Sequence, residues 1–261
     1  MNYLCALKTP NHWICGVLIE LNILFNFFEM KIMNLKNLTS ISVFLMFTVL
    51  CFSSCKKESS SDLDQSRIYA EYTYEYDADD NRADIGATFR EDNNNGSKVE
   101  LISPSRVDFG GSLLSWSGGS RSYKITNSPE INGGTFNYRN NDDQLFSNDA
   151  VAPSSIELPD NLYSISKGAT FYLPWTGDAI QQGEVIRVTI TGLNGTQTFT
   201  SNEDGDTNIQ LSYSGLQALS TGVATITIER EKISNLQEGT GAGGKIITVY
   251  KGESIAVNIV G

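Results

Sequence analysis

The stretch Ile68-Tyr-Ala-Glu-Tyr-Thr-Tyr-Glu-Tyr-Asp77 decides how the chain is read. Ile68, Ala70, Tyr72, Tyr74 and Tyr76 alternate with Tyr69, Glu71, Thr73, Glu75 and Asp77. A period of two, apolar on one side and polar on the other, is the pattern of a β-strand wetted on one face. The tyrosines of this stripe have two readings. They fill the core of a small sandwich, or they stand exposed in a row on which sugars stack.

Working outward, Ile85-Ala87-Phe89 and Val99-Leu101 repeat the alternation, and Asn95-Gly96 between them is a strong hairpin signal. Short runs follow at Val107-Phe109, Leu113-Leu114-Trp116, Tyr123-Ile125 and Phe136-Tyr138, separated by Gly and Asn clusters. No amphipathic helix longer than two turns is present in the pattern. Short strands at a spacing of about 8–12 residues indicate a sandwich or barrel.

Residues 147–155 (SNDAVAPSS) are small and polar, with Pro153 to stiffen them, and mark the expected boundary between two domains. A second set of strands follows, ending with Ala224-Ile226-Ile228, Ile246-Thr248-Tyr250 and Ile255-Val257-Ile259. Residues 213–226 resemble the corner of an immunoglobulin-like domain. There a strand ends, one helical turn bridges two sheets, and Gly222 releases the chain into the next strand. The expected fold is therefore all-β: two tandem immunoglobulin-like β-sandwiches, at residues 67–149 and 155–261.

A different signal lies upstream. Lys31 and Lys36 precede an apolar run at residues 38–52 (LTSISVFLMFTVLCF), which ends in Phe52-Ser53-Ser54-Cys55. Basic start, apolar centre and small-residue cut site make a secretory signal, and the run is short of the about 20 residues that span a bilayer. Phe52 to Cys55 resembles a lipobox, the site at which bacterial lipoproteins are cleaved and lipidated on the new N-terminal cysteine. The usual lipobox has Leu where Phe52 stands. The competing reading is an uncleaved anchor helix. Residues 33–54 are thus expected to be a lipoprotein signal peptide. Residues 1–32 read as an over-extended start or non-native upstream segment, with a genuine membrane segment as runner-up. Polar, Ser-rich residues 55–66 read as the lipidated Cys55 and a flexible tether.

Removing 54 of the 261 residues leaves 207, with 16 basic and 28 acidic side chains, a net charge of −12. Such a surface repels phosphate backbones, which excludes nucleic acid as a partner. Cys5, Cys15, Cys51 and the only histidine, His12, all lie before Cys55. The remaining chain therefore holds no imidazole and no other thiol. Disulfides, Ser-His-Asp triads, Cys-His nucleophiles and the usual zinc sites are excluded together.

Three patterns carry candidate chemistry. Gly239 to Lys245 fits the spacing of a phosphate-binding loop, but Ile246 stands where Ser or Thr should be and opens a strand, so a hairpin loop is the reading. Asp77, Asp79 and Asn81 have the 1-3-5 spacing of calcium ligands, echoed at Asn202, Asp204 and Asp206, although turn chemistry alone explains acidic turn residues. Calcium is the only cofactor this leaves open. Trp116, Tyr172 and Trp175, near Gly- or Pro-bearing strand ends, are the candidate ligand-facing aromatics.

As a whole the chain resembles two-domain, immunoglobulin-like lipoproteins of the Bacteroidota envelope, a resemblance that supplies no catalytic residues. It implies a protein lipid-anchored to the outer membrane, facing the periplasm or the surface. Its partners would be the membrane and a glycan or envelope protein. Its function would be non-catalytic binding, adhesion or assembly. The alternative is a carboxylate-based glycan hydrolase or glycan-binding accessory protein, since paired carboxylates need neither His nor Cys.

Overall fold

Alternation in the sequence translates directly into strands in the computed structural model, which describes residues 58–128 and 133–261. The expected signal peptide, with Phe52, Ser53, Ser54 and Cys55, lies outside the described residues. Among the described residues, no helix is long and apolar enough to cross a membrane.

The first part of the chain forms β1 (Glu58–Ser59), β2 (Ile68–Asp77), β3 (Arg82–Glu91), β4 (Lys98–Glu100), β5 (Arg106–Phe109), β6 (Ser112–Leu113), β7 (Ser115–Ser117), β8 (Ser122–Ser128), β9 (Gly134–Arg139) and β10 (Leu145–Ala150). There follow β11 (Ile156–Glu157), β12 (Ser164–Ser166), β13 (Phe171–Pro174), β14 (Thr176–Gly177), β15 (Glu184–Gly192), β16 (Gly195–Ser201) and β17 (Asn208–Leu211). A single helical turn, α1 (Tyr213–Gln217), leads into β18 (Gly222–Asn235), β19 (Gly244–Lys251) and β20 (Ile255–Val260). The fold is all-β, built of β-sandwiches.

One large sheet runs in the order β1-β4-β3-β2-β19-β18-β15-β16, with β8 and β7 beside β3, and with β20 and β12 beside β18. Its β2 end is covered by the four-stranded sheet β10-β9-β5-β6. The core between them is aromatic. Tyr72, Tyr74 and Tyr76 all point inward and are buried, so the stripe fills the core. Tyr72 stacks on Phe136 at 4.6 Å, Phe109 meets Phe136 at 4.7 Å, and Phe89 lies 4.6 Å from Tyr138. Such ring pairs add to the stabilisation from buried area alone. Gly134 is required here, because a Cβ would sit 2.5 Å from the Phe109 ring.

The β15 end packs on the β13–β17 pair, and this core is mainly aliphatic: Ile186, Val188, Ile190, Ile226, Ile228, Val257 and Ile259 pack with Leu173, Ile209 and Leu211. The corner forms as its residues dictate. Ser212 caps α1 by accepting a hydrogen bond from the Gly215 amide at 3.3 Å. Leu216 and Leu219 fill the core, and Gly222, at φ +122°, opens β18.

Two findings correct the sequence reading. Residues 155–261 were expected to form a separate sandwich, and the core does change near residue 155. However, β19 leaves the second set and pairs in parallel with β2, Gly244 to Lys251 against Ala70 to Asp77. Ile246 then belongs to the aromatic core, and Tyr250 packs against both cores. The described residues fall in one compact unit. Because β19 and β20 both run antiparallel to β18, they lie end to end along it, joined through Gly252. A Cβ at Gly252 would meet the Ile156 carbonyl at 2.3 Å.

The second correction concerns the tether. Ser60 and Gln65 are buried, not solvated. Gln65 Nε2 donates to the Ser60 carbonyl at 2.7 Å, while Ser60 Oγ accepts from the Ile102 amide at 2.8 Å and Gln65 Oε1 accepts from the Asn141 amide at 3.1 Å. Hydrogen bonds to distant backbone, which composition does not reveal, hold residues 59–66 against the first core.

The aliphatic core ends at a buried charge. Arg230 is fully enclosed and donates to Glu184 Oε2 at 2.7 Å and to the Asp178 carbonyl. Glu184 also accepts from the Gln181 amide at 3.1 Å, which closes the loop ahead of β15 around the guanidinium. Removing one member of a buried pair leaves the other charge uncompensated and costs about 3–5 kcal/mol. Glu184→Ala should lose that much in urea unfolding, and Arg230→Met combined with Glu184→Leu should recover most of it.

A proteolysis outcome also follows. Residues 151–155 lie outside any strand, and Val151 is exposed, so a protease should cut there. The two fragments should still co-elute on gel filtration, because β19 remains paired with β2. Fragments that separate without denaturant would contradict the shared sheet.

Candidate functional site

The polar face of the large sheet carries charged side chains that its register pairs across strands. Glu71 on β2 meets Lys245 on β19 at 3.1 Å, and Glu75 bonds Lys251. Arg187 on β15 bonds Glu229 on β18 and lies 3.7 Å from Glu231. Arg82 reaches Asp80 at 2.9 Å and Asp84 at 3.2 Å. Asp92 is held below the ordinary carboxyl range by the hydrogen bond from Arg67. Opposite charges facing each other across strands each contribute a few tenths of a kcal/mol up to about 1 kcal/mol.

One interruption in this face makes a groove. Gly86 on β3 stands opposite Thr73 on β2 and beside Lys124 on β8, and a Cβ there would meet Thr73 Oγ1 at 2.5 Å. The missing side chain leaves an open depression of about 230 Å³ lined by Thr73, Glu75, Asp84, Gly86 and Lys124. Glu75 and Asp84 are register partners across β2 and β3. Each also faces a cation: Lys251 for Glu75 and Arg82 for Asp84, with all four side chains more than a third exposed. An arrangement of this kind can hydrogen-bond and charge-pair a polar ligand lying across the strands.

Asp77, Asp79 and Asn81 are placed by turn chemistry. Asp77 Oδ1 accepts from the Asp80 amide at 3.3 Å, closing the β2–β3 turn. Asp79 Oδ1 accepts from the Ser254 amide at 2.9 Å, tying that turn to the one before β20. Asn81 sits at φ +48° and accepts from the Tyr76 hydroxyl at 2.9 Å. Their oxygens are thus spread over three separate partners. In the echo loop, Asp206 accepts from Ser201 Oγ at 2.9 Å, and Gly205 at φ +89° donates its amide to the Ile180 carbonyl. Among the described residues, no group of three or more His, Cys, Asp or Glu could hold a metal ion.

The three candidate aromatics are not brought together. Trp116 is half-buried against the first core, 5.0 Å from the Tyr123 ring. Trp175 is buried in the second core and donates from Nε1 to the Asp178 carbonyl at 3.1 Å. Tyr172, on β13, is the one that faces solvent, 61% exposed. Tyr123 itself is structural: its hydroxyl accepts from the Leu101 amide at 2.7 Å, and burial pushes its pKa up to about 12. The loop before β19 enters a strand, not a helix, and Lys245 is held by Glu71, so no phosphate cradle forms.

The groove was not foreseen from sequence. A Gly within a charged strand is its only signal, and the pattern alone does not say which residues flank it.

No protein-family model matches the chain, and no curated protein matches it. Among solved structures it is similar to a tetra-tandem repeat in the extending region of a large adhesion protein, at 12% identity and a TM-score of 0.22. The match covers 72% of this chain and 49% of that one, so the chain spans about half the length of that structure.

With Asp77, Asp79 and Asn81 already engaged, calcium should move the melting temperature by less than about 2 °C, within ordinary charge screening. A true site at a hundredfold excess over Kd would add about 2.7 kcal/mol. Differential scanning fluorimetry with calcium and then chelator checks this. A shift of about five degrees or more that Asp79→Ala removes would show a metal site.

Proposed function

We propose that this chain is a lipid-anchored protein of the bacterial cell envelope, held through Cys55, which works by binding, adhesion or assembly and not by catalysis. The observation that carries the reading is the distribution of reactive residues. Past the lipobox-like Phe52-Ser53-Ser54-Cys55, no histidine and no further cysteine occurs. The chain would thus spend its one late cysteine on the anchor and keep none for chemistry. With residues 59–66 held against the first core, only a few residues separate Cys55 from it. The outer membrane, on its periplasmic or outer side, is the corresponding location, and a glycan or another envelope protein the corresponding partner.

A second reading, a carboxylate-based glycan hydrolase, draws on one observation: Glu75 and Asp84 face each other in the groove beside Gly86. A general acid must keep its proton at neutral pH, which needs apolar surroundings. Both side chains are instead exposed and faced by cations, which favours binding. Glycan hydrolysis that Glu75→Gln abolishes would establish the enzyme.

Cys55→Ala should abolish incorporation of labelled fatty acid and move the protein from the membrane to the soluble fraction. A single acyl chain anchors only marginally, whereas several chains hold firmly. Retention of the variant in the membrane fraction would overturn the anchor and leave residues before 55 as the attachment.

A further inference from the structure

The large sheet ends at β16, and its edge is treated unlike the others. At the free edge of β10, side chains from the β18–β19 loop stand in for a missing strand. Glu238 Oε2 accepts from the Ser147 amide at 2.7 Å, Gln237 Oε1 accepts from the Asp149 amide at 2.9 Å, and Gln237 Nε2 donates to the Asp149 carbonyl at 3.3 Å. At the opposite end of the large sheet, β1 is only two residues long. Short strands and covered backbone are the usual protections of an edge, along with charge, proline and bulges. β16 has none of them. It is seven residues long, reads Gly-Thr-Gln-Thr-Phe-Thr-Ser, and pairs with β15 through seven unbroken register pairs. Among the described residues, nothing but β15 bonds the backbone of residues 196–200.

From this edge we infer that β16 is a self-association site, at which a second copy of this chain adds its own β16 antiparallel, with Thr198 on the two-fold axis. Charge selects the occupant and the direction. The chain carries a net charge of −11, so two copies repel each other over most of their surface. Residues 188–202 contain no charged side chain, which makes this edge a neutral place for two copies to meet. A parallel pairing would set Glu203 beside the second copy's Glu203. The antiparallel pairing sets it beside the second copy's Leu193, which is 86% exposed. Side chains agree with the same register. Thr196, Thr198 and Thr200 lie on one face, so Thr196 meets the second copy's Thr200 and Thr198 meets its equivalent. Thr–Thr pairs directly opposite each other stabilise an antiparallel ladder.

An edge of this length buries little area, so the dimer should be weak and concentration-dependent. A cross-link captures it. Residues directly opposite in an antiparallel pair have Cα atoms about 4.5–5.5 Å apart, within the span of a disulfide. The test uses the full chain in detergent, with Cys5, Cys15, Cys51 and Cys55 changed to Ser and one cysteine introduced at a time. Under mild oxidation Thr198→Cys should form a disulfide dimer. Thr200→Cys and exposed Tyr172→Cys should not, while an equal mixture of Thr196→Cys and Thr200→Cys should cross-link. Circular dichroism confirms that each variant is folded. Equal cross-linking at positions 172, 198 and 200 would mean random collision and overturn the inference, as would the absence of a Thr198→Cys dimer at high concentration. Self-cross-linking at both 198 and 200 without 172 would mean a parallel pairing and overturn the register. None of these outcomes bears on the anchor, which the Cys55→Ala fractionation tests separately.

Discussion

The parallel ladder between β2 and β19 is the constraint on which the rest of the structure depends. Glu75 and Lys251, which bond across it, lie 176 positions apart. Without this pairing, the aromatic and aliphatic cores would be joined in sequence by little more than residues 151–155. With it, one sheet passes through both. β18 makes the ladder available: at 14 residues it is long enough to hold β20 along its first half and β19 along its second. Only the β19 half reaches β2. Closing so long a loop is entropically costly, and contacts of high sequence separation slow folding. The ion pairs Glu71–Lys245 and Glu75–Lys251 favour this register over one shifted by a residue, which would turn both acids towards the core.

The two cores solve the same packing problem with different chemistry. In the first, rings fill the space between the sheets: Tyr72, Phe89, Phe109, Phe136 and Tyr138 interlock there. Among the described residues the Tyr72 hydroxyl has no hydrogen-bond partner, and burial raises its pKa well above the usual range. In the second, β-branched and leucine side chains pack closely, and a single buried arginine closes the end. That arginine organises the Asp178–Glu184 loop through two hydrogen bonds, so the loop's shape depends on a charge and not on its own short sequence.

Much of this was legible in advance wherever one strand's own pattern carries the information. The alternation from Ile68 to Asp77 states which side is buried, and the corner from Tyr213 to Gly222 needs only local residues to form. Partnership is another matter. Nothing in residues 244–251 distinguishes a strand that pairs within its own sandwich from one that crosses to β2. The burial of Ser60 and Gln65 depends on backbone donors at Ile102 and Asn141, far along the chain. The site was less legible than the fold. Acidic spacing around Asp77 suggested a cation, whereas each oxygen had a separate structural partner. Trp116, Tyr172 and Trp175 share a residue class but not a surface. The groove arises from the absence of a side chain at Gly86, which composition does not record.

The polarity of the central strands has a mechanical consequence. β2 and β19 run in the same direction, and β20 continues the line of β19. A pull that enters at Ile68 and leaves at Val260 therefore acts at opposite ends of the ladder. It slides one strand along the other, loading all the rungs at once, instead of peeling them apart one by one. For a load applied between those two points, that is the direction in which the sheet resists most.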